Sequence, residues 1–157
     1  MIFGRFVTAL LVVGLMLYLW PALAATTQSA AVMAPLHQFM DGIGRNDWSM
    51  TAAACTSPAT IIDDFPPHTW QGPTACADWT TAFVAANKQA GVSDTHITLG
   101  APRHLDVTGD VAYVVVPASF TYKAHGKPMS ESGSIWTVVV KKQAAGWRIA
   151  AWAWAAH

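Results

Sequence analysis

The chain has 157 residues, a length suited to one domain, and a formal net charge of zero from 9 basic and 9 acidic side chains. That balance argues against a nucleic-acid surface, where clustered Lys and Arg must neutralise phosphates, and it gives no polybasic signal for anionic lipid. Charged residues are only 11% and apolar ones 53%, so a real core can be buried at this length.

Residues 1–24 read as a secretory signal. Arg5 supplies the positive start, Phe6 to Trp20 form an apolar run of 15 residues, and Pro21 is expected to break the helix before Ala22-Leu23-Ala24. The run is shorter than the ~20 residues that span a bilayer, which disfavours the alternative of a retained membrane anchor. The domain is therefore expected outside the cytosol, secreted or periplasmic, with no membrane association after cleavage. Without Arg5 it carries 8 basic against 9 acidic side chains. Residues 25–31, rich in Ala, Thr, Gln and Ser, are expected as a flexible N-terminus, and 32–157 as the folded domain.

In the folded part, Val32, Leu36, Phe39, Met40 and Ile43 recur at helical spacing, and Gly42 and Gly44 mark the helix end. Asn46 or Asp47 caps a second helix from Trp48 to about Ala54. Cys55 and Cys76 follow, with no CxxC and no further thiols for zinc, so outside the cytosol they are expected to form a structural disulfide. Thr60 to Asp63 is a short β-branched strand, and Phe65-Pro66-Pro67-His68 must be loop. Gly72-Pro73 opens a third helix running to about Ala90, with Trp79 and Phe83 on its inward stripe.

Four long strands are predicted next: Thr95 to Val107, Val111 to Ala124, Met129 to Lys142 and Trp147 to Ala155. Short Gly-containing turns at Gly109, Gly126 and Gly146 join them as antiparallel hairpins. The order is helix, helix, short strand, helix, four strands. This predicts an α+β fold with three N-terminal helices on one face of a curved antiparallel sheet.

That order, with its local words, resembles the nuclear transport factor 2-like superfamily, closest to its SnoaL-like and ketosteroid isomerase-like branch. The words are Asn46-Asp47-Trp48, Ile61-Ile62-Asp63-Asp64, Trp70-Gln71-Gly72-Pro73, Gly109-Asp110-Val111-Ala112-Tyr113-Val114 and Gly146-Trp147-Arg148-Ile149, spread over about residues 32–155. The resemblance implies a cone-shaped roll with an apolar pocket open at one end, and a homodimer, often through the outer sheet face. It also implies that Asp64 lies nearest the position of the general base in ketosteroid isomerases. The oxyanion partners of those enzymes have no counterpart: Phe39 and Met40 stand where the first helix would need a Tyr, and no Asp follows Asp110.

Asp63 and Asp64 end the short strand, so one should face the pocket and the other solvent. A pocket carboxylate suits a general base, with His68 at the mouth or a Tyr as its partner; the alternative is that both carboxylates cap the Pro-rich turn. His96 and His104 fall on one predicted strand roughly 26 Å apart, too far to share a metal. No other spacing fits one, so neither metal nor cofactor is expected.

Of eight tryptophans, seven lie beyond the leader, too many for all to be fully buried. Trp152 and Trp154 share a strand face with Arg148, and Trp147 shares the other with Ile149. Tyr113 and Tyr122 fall on opposite faces of one strand. Trp70, Trp79, Phe83, Tyr113, Tyr122, Trp136, Trp152 and Trp154, with Asp63, are the expected pocket residues. The leading reading is binding of a small apolar or aromatic molecule without catalysis. A cyclase, isomerase or dehydratase using Asp64 is the alternative, and a homodimeric interaction module with a filled cone is the third.

Overall fold

The structure is a computed structural model that describes the backbone of residues 7–156 and side chains of residues 26–156. Helix α1 spans Val7–Arg45, α2 Trp48–Ala53 and α3 Ala75–Gln89. Seven strands complete the described chain: β1 (Cys55–Ile62), β2 (Thr69–Gly72), β3 (Val92–Leu99), β4 (His104–Thr108), β5 (Val111–Ala124), β6 (Lys127–Gln143) and β7 (Gly146–Ala155). They form a curved, unclosed sheet in the order β2-β1-β7-β6-β5-β3, with β4 also on β5. The helices lie against it, giving the expected α+β cone.

Four features depart from the sequence-based expectation. First, α1 runs through residue 21 and through 25–31, where a break and a flexible segment were expected. Residues 26–31 stay largely exposed, and the helix continues through them into the buried Val32. The side chains of the expected leader lie outside the described residues, as do residues 1–6 altogether. No helix of the described residues is long and apolar enough to cross a membrane.

Second, the segment around Trp70 is a strand, not the start of a helix. β2 turns back on β1 with Trp70 opposite Ile61, and α3 begins only at Ala75, after Thr74. Third, the expected strand from Thr95 to Val107 is two strands on one edge. Residues 100–103 bulge off β5, held by Gly100 N–H to the Pro117 carbonyl (2.9 Å) and Arg103 N–H to that of Val115 (2.8 Å). His96 and His104 consequently sit on different strands. Fourth, the sheet is mixed, since β1 runs parallel to β7 and joins the first half of the chain to the last.

The α1–α2 corner depends on Gly42. A Cβ there would strike Thr51 Oγ1 and lie 2.7 Å from the Thr51 backbone N. Gly42 therefore permits close crossing, while α1 continues past it to Arg45. Its carbonyl accepts from Asp47 N–H (2.8 Å), and the Asp47 carboxylate caps α2 by accepting from Met50 N–H (3.0 Å). Cys55 and Cys76 form the disulfide, tying the start of β1 to the first turn of α3.

Candidate functional site

Strand alternation decides which carboxylate faces inward. Ala59, Ile61 and Asp63 are buried on one face of β1 and its continuation, whereas Ile62 and Asp64 are exposed. Asp63 is only 8% exposed. Its Oδ2 accepts from the indole Nε1–H of Trp79 (2.7 Å) on α3, and its Oδ1 accepts from the backbone N–H of Asp64 (2.8 Å). Burial disfavours the charged form more than these two bonds restore it, and the nearby Asp64 carboxyl adds to the rise. The Asp63 carboxyl is pushed up to about 7.

The loop after Asp63 is pinned at its base. Asp63 N–H donates to the His68 carbonyl (3.0 Å), His68 N–H donates to that of Phe65 (2.9 Å), and His68 Nδ1 lies 3.1 Å from the Asp63 carbonyl. His68 has a φ of +70°, uncommon for a residue with a side chain. The residue is exposed, and its ring engages the backbone carbonyl of Asp63 in the turn.

Asp63 lies in the wall of a cavity of about 100 Å³ between the helices and the sheet. Eight of its lining residues are aromatic. Phe39 on α1 is the hub, with its ring centre 5.3 Å from Trp79, 5.5 Å from Trp136 and 5.9 Å from Trp152. Trp79 stacks on Phe83 at 5.0 Å and meets Trp152 edge-on at 5.2 Å. Phe65, Phe120 and Trp154 complete the aromatic wall, and Asp64 and Glu131 join Asp63 as its acidic members. Among the described residues, no Lys, Arg or His lines it.

Of the residues expected at the pocket, Asp63, Asp64, Trp79, Phe83, Trp136, Trp152 and Trp154 are brought together in it. Trp70 is one layer behind, its ring 5.1 Å from that of Phe65. Tyr113 is on the outer face beside His104, and Tyr122 stacks on Phe120 beyond the lining, its hydroxyl donating to Glu131 (2.6 Å). Two strand-face assignments on β7 are corrected. Trp147, Ile149 and Trp152 are all buried, because Val140 pairs with Ile149 and Val139 with Ala151, leaving Ala150 as an extra residue. This bulge reverses the alternation, so Trp152 and Trp154 face inward despite the odd spacing from Trp147.

Phe39, Met40, Ile43, Phe65, Ile97, Phe120 and Glu131 were not expected in the lining. The first three lie on the helical stripe read as core, and the stripe's position under the sheet mouth makes them pocket wall. Glu131 carries no local signal, since only the β5–β6 register, which places it opposite Phe120, brings it to the opening. Among the described residues, no group of His, Cys, Asp and Glu could hold a metal ion.

No family model matches the chain, and no curated protein matches it significantly. Solved structures do. A nuclear transport factor 2-like protein with a cystatin-like fold from Novosphingobium aromaticivorans superposes with a TM-score of 0.70 at 16% identity, covering 88% of this chain and 87% of that one. The fold is that of the nuclear transport factor 2-like superfamily. A ketosteroid isomerase-like protein from Erwinia carotovora atroseptica (TM-score 0.63, 16% identity, 80% and 92% covered) is built on the same plan. So is a hexachlorocyclohexane dehydrochlorinase from Novosphingobium barchaimii (TM-score 0.71, 13% identity, 87% and 90% covered). Nuclear transport factor 2-like folds therefore serve dissimilar sequences, and at these identities the likeness speaks for the fold alone.

Proposed function

We propose that this nuclear transport factor 2-like domain binds a small, mostly apolar molecule in the cone cavity. The observation that carries the reading is an aromatic cavity closed over one buried carboxylate, since ligand sites combine apolar walls with few polar groups. A pure interaction module would need no such space. Scaling from ~150 Å³ for a benzene-holding cavity, a volume near 100 Å³ suits about four or five heavy atoms. The seated group is thus a small molecule or the head of a larger one extending through the mouth. Native mass spectrometry of the purified full chain tests this: a co-purified small molecule, lost from a Phe39→Trp variant that fills the cavity, is the expected result. An empty protein that binds no member of a small-fragment library would contradict it.

A second reading is favoured by one observation, the rise of Asp63 to about 7, which suits proton transfer at neutral pH. In an enzyme of the cyclase, isomerase or dehydratase type, Asp63 would be the base, in place of Asp64 with His68. Asp63→Asn would then abolish turnover with folding intact, and kcat would rise with pH through a midpoint near 7.

Export belongs to the same proposal, supported by the signal-like leader and the Cys55–Cys76 disulfide. Pairing of two copies through the outer sheet face is supported by exposed Val111 and Tyr113. Sedimentation velocity should find a dimer that Tyr113→Glu dissociates; a wild-type monomer would remove this element.

A further inference from the structure

We infer that the cavity recognises an organic cation, a small quaternary or tertiary ammonium group seated among aromatic rings and facing the Asp63 carboxylate. The inference rests on the binding reading above and names the ligand's chemical class.

Three observations converge on it. The polar side chains lining the cavity are all acidic: Asp63, Asp64 and Glu131, with no basic residue among the described lining. An anionic ligand would meet unopposed like charge in a low-dielectric space. Three of the four indole donors among the lining tryptophans are also withheld from a ligand. Trp79 Nε1 is committed to Asp63, while Trp136 Nε1 and Trp152 Nε1 are buried with no partner and present no surface of their own. What these two residues offer the cavity is ring carbon, so a neutral molecule bearing only acceptors finds no donor from them. Finally, the walls are aromatic, and the negative faces of indole and phenyl rings attract a cation, more strongly where both are removed from water. A nitrogen carrying three methyl groups and a methylene has five heavy atoms, the size the cavity holds.

The carboxylate and the rings act on different parts of such a head group. The methyls lie against the rings, where their burial is favourable. The charge is balanced by Asp63, whose ionised form is poorly compensated when the cavity is empty. Cation and proton compete for Asp63, so affinity should increase about tenfold per pH unit below about 7 and level off above it. Asp64 and Glu131 are the other titratable groups lining the space, and His68 touches the Asp63 backbone from the loop. α1, α3 and β7 bring no titratable side chain to it.

The test uses the full chain, disulfide intact, titrated by calorimetry at pH 8 with choline and with 3,3-dimethylbutan-1-ol, its neutral isostere. The expected result is at least tenfold tighter binding of choline, a preference that Asp63→Asn removes while retaining the alcohol. Retention of the alcohol also shows that the variant is folded. Equal binding of the two by the wild-type protein, or binding of the alcohol alone, would overturn the cation inference and leave the apolar pocket standing. An unchanged choline preference in Asp63→Asn would overturn the role of Asp63. Binding of neither compound would overturn the cation inference, and the fragment library then decides separately whether the apolar pocket binds anything.

Discussion

Asp63 folds in a setting that opposes its own charge. Its carboxyl ionises ordinarily near 3.8 and in the folded protein near 7, so between these values the native state holds a proton that the unfolded chain releases. The stabilisation is present below about pH 4 and is lost as pH rises through 7, with a full span on the order of 4 kcal/mol. Wild-type Tm should fall from pH 4 to pH 7, and Asp63→Asn should flatten that slope; parallel curves in a calorimetric pH series would contradict the assignment. Trp79→Phe removes the indole N–H that favours the carboxylate, so the Asp63 midpoint should rise further above that of the wild-type protein. The pair Asp63-Asp64 was legible as one inward and one outward carboxylate. The choice between them required the phase of the strand, which Ala59 and Ile61 set and which began at Cys55, earlier than the β-branched run suggested. Trp152 was legible as a pocket residue, yet its face relative to Trp147 was not, because the bulge at Ala150 depends on pairing with β6.

At the scale of elements, helix periodicity and turn chemistry were the reliable signals. The second helix, its Asp47 cap and the three Gly-containing hairpin turns lie where local sequence puts them, since those preferences are satisfied by a few neighbouring residues. Gly42 was misread as a stop because a glycine needed for close crossing is the same letter as one needed for a helix end. Gly42→Ala should cost about 1–3 kcal/mol through overpacking against Thr51, seen as a lower denaturant midpoint at unchanged m-value. The strand β2 escaped notice because Thr69–Gly72 is only four residues long and its partner lies across a Pro-rich loop. The disulfide braces that same region, tying β1 to α3, which carries Trp79. Reduction, or Cys55→Ala with Cys76→Ala, should destabilise the domain by roughly 3 kcal/mol. An unchanged chemical denaturation curve would show that the crosslink constrains nothing.

For the whole molecule, the order of helices and strands carried the fold, since three helices followed by long hairpin strands leave few ways to bury one sheet face. What that order left open was the closure, the parallel pairing of β1 with β7 that sets the strand leading into Asp63 against residues just over ninety positions away, Ile61 beside Trp152. The pocket is a product of that closure: Phe39 from α1, Trp79 from α3, Glu131 and Trp136 from β6 and Trp152 from β7 meet only in the assembled cone. A single residue reports on the assembly. Titration of the Asp63 side-chain carboxyl carbon by NMR should give a midpoint near 7 in the free protein, moving down when choline is added. A midpoint near 4, indifferent to choline, would mean that Asp63 stands in water and that the closed aromatic cavity is not a site.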